Sequence, residues 1–469
     1  MDDHENKLPA GAGGSVELWR VALPLVLSNA FWTLQITAGR VMLSRQNSET
    51  VGAAMSAGVL YWAMFALLHQ TASYAATFVA QYLGAGRPHR VGPAIWQAIH
   101  FSLVTGMLFL LLLPFAPQLF SLSGHSAVMQ ELEVRYFRAI SFATLPLLLI
   151  ASVNSFFAGR GKTWPVLWMN VVGMVVEISV GYVLIYGYGS IPALGITGAG
   201  WATVTASWVS AIFGLVLLLR RQYRKEFATL SGWRPERALF LRLLRFGLPN
   251  GLQFSLDAWA FTIFLLLIGR MGDAELTATS MAFTINSLAL VPMLGLAQGV
   301  AVLVGQRLGM NRPDIASRSA YRGVFWCLVY TLAMAAIYAF APELLMNCFR
   351  DRDATKWEAV AAIVPLLLRF VALYCLFESM SLILSSALRG AGDTLFVSIV
   401  TLLMAWLLMV VPSIWAWKTG KSMYWSWSFA TGYLIVLSFI FWARFWQGRW
   451  RTMRVIEAAP TPDLALQEA

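Results

Sequence analysis

The chain has 469 residues, 58% of them apolar and 12% charged, with 34 Lys and Arg against 23 Asp and Glu, a net charge of +11 and a mean hydropathy of +0.66. So apolar a composition excludes an ordinary soluble domain and indicates a membrane protein. The basic excess requires no nucleic acid, because basic loops fix membrane topology and meet anionic lipid head groups.

The amino terminus, Met1-Asp2-Asp3-His4-Glu5, lacks the positive start of a cleavable signal, so the first span is expected to stay in the protein. A spanning helix needs about 20 mostly apolar residues. Twelve stretches qualify: 18–39, 51–79, 93–114, 135–158, 165–187, 195–219, 246–269, 276–304, 321–341, 362–387, 395–417 and 424–446. The expected fold is therefore an all-α membrane protein of two six-helix lobes, 16–219 and 241–447. Around them lie a tail (1–15), a basic linker (220–240) with an interfacial helix, and a second tail (448–469) that contains Pro460 and Pro462 and reads as disordered.

After the second span stands Gln81-Tyr-Leu-Gly-Ala-Gly-Arg-Pro88, and it returns as Gln306-Arg-Leu-Gly-Met-Asn-Arg-Pro313 at an offset of 225 residues, with five of eight positions identical. Pro24 and Pro249 stand at the same offset, so no gap separates the landmarks within either half. The chain is a duplication. An even number of spans per half makes the repeats parallel, related by a pseudo-two-fold axis along the membrane normal, and binding sites of repeat-built transporters lie between halves. The block itself is placed in a loop, as a hinge or lock.

With both termini inside, the inner segments hold 23 of the 34 Lys and Arg, including Lys7, Arg160, Lys162, Arg389 and eight residues from Arg220 to Arg245. The outer loops hold Arg45, Arg270, Arg350, Arg352, Lys356, Lys418 and Lys421. This bias puts both termini in the cytosol. Cys327, Cys348 and Cys375 show no pairing or zinc spacing, and His69 and His100 lack an i, i+4 partner, so all five read as packing residues. No nucleophile triad, zinc-protease motif, P-loop or dinucleotide fingerprint is present, and neither an enzyme nor a cofactor is expected. Most of the 20 Trp read as interfacial anchors.

Charges at membrane depth are costly and mark pathways or relays. Asp257 in the seventh span and Glu378 in the tenth lie about 16 Å from the inner ends of their helices, and Glu177 in the fifth lies about 18 Å deep. All three fall near the midplane of a core about 30 Å thick. Asn250, Gln253 and Asp257 share one helix face, and Tyr374, Glu378, Ser381 and Ser385 form a stripe on the tenth span. Glu177 lies between Gly173 and Gly181, which let another helix or a ligand approach.

In its motifs the chain resembles the multidrug and toxic compound extrusion (MATE) family, bacterial branch, across all twelve spans. The resemblance rests on Pro24, both repeat blocks, Gly159-Arg-Gly-Lys-Thr163, Leu194-Gly-Ile-Thr-Gly-Ala-Gly200, Gly247-Leu-Pro249 and Leu388-Arg-Gly-Ala-Gly-Asp-Thr394. Ser155, Gly159, Gly161 and Thr163 also match Ser386, Gly390, Gly392 and Thr394 at an offset of 231. The resemblance implies that Asp257 and Glu378 bind the coupling cation, H⁺ or Na⁺, in competition with substrate. One departure stands out. Many bacterial members carry an acid fifteen residues after the first-span proline, where this chain has Gly39 followed by Arg40. Two readings follow: Glu177 replaces that acid and pairs with Arg40, or Glu177 is protonated or hydrogen-bonded while Arg40 extends to the outer surface.

Carboxylates at the midplane attract amphipathic organic cations, and aromatic walls add about 0.5–2 kcal/mol per cation–π contact. The expected cavity comprises Asn250, Gln253, Tyr374, Ser381, Asn29 and Arg40, with Pro24, Pro249, Gln81 and Gln306 as structural or hinge residues. The function expected is a cation-coupled exporter of drugs in the bacterial inner membrane, working by alternating access as a monomer. Two alternatives stay open: a flippase for lipid-linked saccharide, against which the midplane acids argue, and a non-transporting scaffold.

Overall fold

The computed structural model describes residues 12–46, 48–121, 125–347 and 354–457. Lys7, Cys348, Arg350 and Arg352 lie outside the described residues, as does the side chain of Lys356. The spans are α1 (Ser15–Ser44), α2 (Glu49–Gly84), α3 (Pro88–Ser121), α4 (Ala127–Ser141 continued by Thr144–Gly159), α5 (Trp164–Tyr186), α6 (Gly195–Leu218), α7 (Arg237–Gly269), α8 (Asp273–Gly309), α9 (Pro313–Phe340), α10 (Val360–Ala391), α11 (Thr394–Lys418) and α12 (Met423–Gln447). Among the described residues one span, α4, is bent by more than 40°, with 44° between its two parts. Helices are the expected solution in lipid, because every backbone polar group must be satisfied within its own segment.

Spans α2 and α8 run further than their apolar stretches, and this relocates the repeat block. Its first four residues, Gln81–Gly84 and Gln306–Gly309, form the last turn of a helix rather than a loop. The turn that follows needs a left-handed residue, supplied by Gly86 (φ 69°) in one half and Asn311 (φ 55°) in the other, at the same offset of 225. Asn is among the few side-chain-bearing residues that tolerate this conformation. Non-identity at that position therefore preserves the geometry.

The two helix ends cross between the halves. A Cβ on Gly84 would lie 2.0 Å from the carbonyl oxygen of Gln306, and one on Gly309 would lie 2.2 Å from that of Gln81. Nothing larger than hydrogen fits. Away from this crossing, α8 packs on α1 through Gly295 against Val26 and Gly299 against Ala22, and α7 packs on α2 through Gly251 against Leu67 and Thr71. Small residues bring these helices close, as is common between membrane helices.

Hydrogen bonds reinforce the seam at the end where α1 begins and α12 ends. Gln81 Nε2 donates to the Gly390 carbonyl (3.0 Å), Gln306 Nε2 to that of Gly159 (2.8 Å), and the Tyr74 hydroxyl to that of Arg389 (2.8 Å). Arg307, 2% exposed, forms an ion pair with Glu17 of the other half. Further along, Asn250 donates to the Gln70 carbonyl and Ser255 to that of Ala63. Among the described residues the inter-half hydrogen bonds end there, so the halves are bonded over one side of the membrane layer only.

The second tail departs from the expectation of disorder over its first ten residues. Gly448 closes α12 in the left-handed region (φ 78°), and Trp450 stacks on Phe445 at 4.6 Å and is fully buried. Val455 N–H donates to Gln81 Oε1 (2.9 Å), while Glu457 accepts from the Tyr82 hydroxyl (2.6 Å) and pairs with Arg90 (3.4 Å) and Arg242 (3.3 Å). This segment ties both halves together. The reason is specific pairing, which polar composition does not reveal. Residues 458–469 lie outside the described residues.

The linker contains a short helix, Arg221–Glu226, and docks on α3: Gly92 N–H donates to the Phe227 carbonyl (2.9 Å) and the Trp96 indole to that of Thr229 (2.7 Å). Because α7 begins at Arg237, the last four residues expected in the linker are helical.

Candidate functional site

Asp257 and Glu378, about 120 residues apart in sequence, line one cavity of about 650 Å³. Its wall is built by α7, α8, α10, α11 and α12, entirely within the second half. The repeat alone places a site at the junction of halves. The difference has a packing cause: small residues, Ala260, Ser280, Ser287, Ala405 and Ala430, leave room among the helices of one lobe.

One side of the cavity is aromatic. Phe283 and Trp427 stack at 5.0 Å with planes 15° apart, Phe261 meets Phe283 edge-on at 4.8 Å, and Tyr374 and Tyr433 complete the wall. Trp427 is fully buried and donates its indole N–H to Thr279 Oγ1 (3.2 Å), so it is a wall residue and not an interfacial anchor. The polar side consists of the two carboxylates, Asn286 and Tyr374. Asn286 lies beside Glu378, whose Oε2 is buried without a protein partner, and the Tyr374 hydroxyl is likewise unpaired. Unmet oxygens in an apolar wall are a standing energetic cost that a cation or a polar ligand group removes.

Gln253 sits one turn before Asp257 and donates to its Oδ2 (3.3 Å) and to Thr401 (3.4 Å). It supports the acid and does not itself line the cavity. Asn250 serves the inter-half seam through Gln70, and Ser381 is buried off the wall. Sequence reasoning missed Asn286, Phe283, Trp427 and Tyr433. Asn286 could have been found as an amide inside an apolar span, whereas the aromatics are indistinguishable in sequence from lipid-facing ones.

Glu177 forms a second polar centre, in the first half. It is 8% exposed and accepts hydrogen bonds from Gln35 of α1 and from Thr203 of α6 (3.0 Å). Gly39 faces it: a Cβ at that position would come within 3.9 Å of Glu177 Oε1. Thus Glu177 projects from α5 toward the site that an acid at position 39 would occupy. Arg40 is exposed and forms no ion pair with Glu177 among the described residues. Asn29, on α1, has a buried amide nitrogen without a protein partner. It lies apart from the second-half cavity.

The duplication persists in this polar chemistry. Asn170 bonds Ser28 in the first half where Thr401 bonds Gln253 in the second, at offsets of 231 and 225. Tyr61 bonds Thr144 (3.3 Å) where Asn286 bonds Cys375 (3.5 Å), at the same two offsets. The acids break the pattern. At the repeat-related positions of Asp257, Glu378 and Glu177 stand Trp32, Leu147 and Leu408.

Two parallel six-helix lobes joined at one end, with two carboxylates lining a cavity in one lobe and a third buried in the other, define a repeat-built membrane transporter. The family model MatE matches residues 24–183 and 249–415, once per half and starting at Pro24 and Pro249. The chain belongs to the MATE family of multidrug efflux transporters, which are not enzymes. It is 28% identical over 377 residues to a probable multidrug resistance protein NorM of Xanthomonas axonopodis pv. citri, covering 80% of this chain and 81% of that one. It is 27% identical over 397 residues to the multidrug resistance protein PmpM of Pseudomonas aeruginosa, covering 83% and 81%. Among solved structures, an outward-facing multidrug resistance MATE transporter superposes with a TM-score of 0.84 at 19% identity, covering 93% of this chain and 96% of that one. A MOP-superfamily transporter from Pyrococcus furiosus, described as having a binding pocket of reverse polarity, gives 0.83 at 20% identity, with the same coverage.

Proposed function

We propose that this transporter exports amphipathic organic cations in exchange for H⁺ or Na⁺, from the second-half cavity, with both termini in the cytosol of a bacterial cell and the chain acting as a monomer. The observation that carries the reading is the pairing of the two acids that line the cavity among the described residues, Asp257 and Glu378, with a wall of aromatic rings. A drug cation is held by carboxylates and ring faces together. When H⁺ or Na⁺ neutralises either acid, the electrostatic part of that attraction is lost and the drug leaves.

Glu378 Oε2, the Tyr374 hydroxyl and the Asn286 amide supply oxygens for Na⁺, and either carboxylate accepts a proton. Glu177, held by Gln35 and Thr203, is the acid we assign to a separate coupling site in the first half. The seam supports an outward-facing state, because it is bonded at the end that the basic-residue bias places in the cytosol. Rocking of the lobes then requires the Gln81 and Gln306 crossing to part, as alternating access demands. Drug export from vesicles carrying Asp257→Asn or Glu378→Gln, under an imposed H⁺ or Na⁺ gradient, tests this. Both variants are expected to lose gradient-driven export, and undiminished export in both under either gradient would sink the reading.

A further inference from the structure

A second cavity, of about 380 Å³, lies at the end carrying the termini, between the α4–α5 turn and the short linker helix Arg221–Glu226. Arg160 and Lys162 from the turn line it, together with Trp164 and Pro165 at the start of α5 and Tyr223 and Glu226 of the linker helix. The guanidinium of Arg160 is enclosed by three rings, those of Phe156 (4.7 Å), Tyr223 (4.6 Å) and Phe227 (4.3 Å). Its Nη1 is buried and has no acceptor in the protein. Rings against a guanidinium cover its faces and leave the in-plane N–H edge as its donor, the edge that matches phosphate oxygens.

Lys162 and Glu226 are exposed, and neither forms an ion pair with the other or with Arg160 among the described residues. Two cations thus face one acid, and Arg221, Arg224 and Lys225 add positive charge on the exposed linker helix. The cavity also stands at the bilayer surface. Trp164 and Trp168, one turn apart on α5, are 52% and 55% exposed, as expected of indoles seated at the headgroup level.

We infer that this cavity binds the phosphate of an anionic phospholipid headgroup, with Arg160 as the fixed donor and Lys162 as the mobile one. Bound there, the headgroup joins the α4–α5 turn to the linker between the lobes. The position differs from that of the drug cavity, and the inference does not depend on the coupling ion or the substrate.

The test is the melting temperature of the full chain in a neutral detergent with added phosphatidylglycerol, phosphatidylcholine or inorganic phosphate. Phosphatidylglycerol is expected to raise the melting temperature by several degrees and the other two to leave it unchanged. Lys162→Gln, a change at an exposed side chain, is expected to abolish most of that rise, while Arg449→Gln in the other half keeps it. Arg160→Gln should abolish it fully where the variant folds, and Lys162→Gln decides where it does not. An equal rise with phosphatidylcholine, a full rise in Lys162→Gln, or the same loss in Arg449→Gln overturns the site. A rise with inorganic phosphate as large as that with lipid overturns the lipid as the ligand.

Discussion

Gln81 and Gln306 make the same bond in opposite directions, each donating from its own half to a glycine carbonyl of the other, Gly390 at 3.0 Å and Gly159 at 2.8 Å. The reciprocity follows from the pseudo-two-fold axis. Each residue begins a repeat block, and each acceptor belongs to the second repeated motif.

Replacing either glutamine by leucine leaves a buried carbonyl unpaired, at a cost of about 1–3 kcal/mol. Gln81→Leu is expected to be the more damaging, because Gln81 also accepts from Val455 N–H. Thermal unfolding in detergent checks this. Identical melting temperatures for Gln81→Leu and Gln306→Leu would show that the Val455 bond contributes nothing.

Steric demand at the crossing is harsher than the loss of a bond. Gly84→Ala and Gly309→Ala each press a methyl into a backbone carbonyl. Neither helix can yield without parting the halves at that end. Both variants are expected to export poorly and to expose cysteines placed on the seam to aqueous thiol reagents faster than the parent chain does.

The first-half site makes a relocation testable. Glu177→Gln should lower coupled export roughly tenfold or more if the acid carries a coupling ion. Combining Glu177→Asn with Gly39→Asp puts the carboxylate on α1, facing the same space, and is expected to recover a substantial part of the activity. Arg40→Gln should change little, because Arg40 is exposed and forms no ion pair with Glu177 among the described residues. Failure of the double variant, with its fold intact, would remove the idea that position matters more than the helix bearing the acid.

Trp427 supplies the largest ring of the second-half cavity wall. On the proposed mode of binding, Trp427→Ala is expected to lower affinity for organic cations roughly 2- to 30-fold, the equivalent of a cation–π contact of about 0.5–2 kcal/mol. Trp427→Phe should keep part of it. Competition binding of an uncharged and a cationic dye separates charge recognition from mere space, since only the cationic dye is expected to suffer beyond the loss of apolar contact.

Glu457 gives the terminal segment a pH response. Partial burial raises its carboxyl, but the Tyr82 hydroxyl and the charges of Arg90 and Arg242 outweigh this and hold it below the usual carboxylate range. A depressed folded value stabilises above the unfolded value of about 4.3, and the contribution is lost as pH falls through the folded value. The melting-temperature gap between the parent chain and Glu457→Gln is therefore expected to be widest near neutral pH and to close in acid. A gap that is constant with pH would mean that the carboxylate charge does not matter there.

The twelve spans were legible because membrane burial writes length and apolarity directly into sequence, and the depth of Asp257 and Glu378 followed from the rise per residue. Both acids do share a cavity. That the cavity lies within one lobe was not legible, since the vacancy arises from small side chains on five helices whose mutual packing no single stretch reveals. Trp427 was hidden for a related reason: an indole near a helix start looks alike whether it faces lipid or a cavity. The ordering of residues 448–457 depends on partners more than 350 residues away, such as Gln81 and Tyr82, and leaves no periodic trace.

Since Val455 and Glu457 follow α12 in the chain, the junction of the lobes receives these ties only once synthesis has passed residue 457. A polypeptide stopped just past α12 keeps the twelve spans α1–α12 and both candidate ion sites, yet lacks these contacts. Premature termination there is expected to yield an inserted protein whose lobes are unlatched at that end, and a reporter joined directly at residue 448 would inherit the same defect.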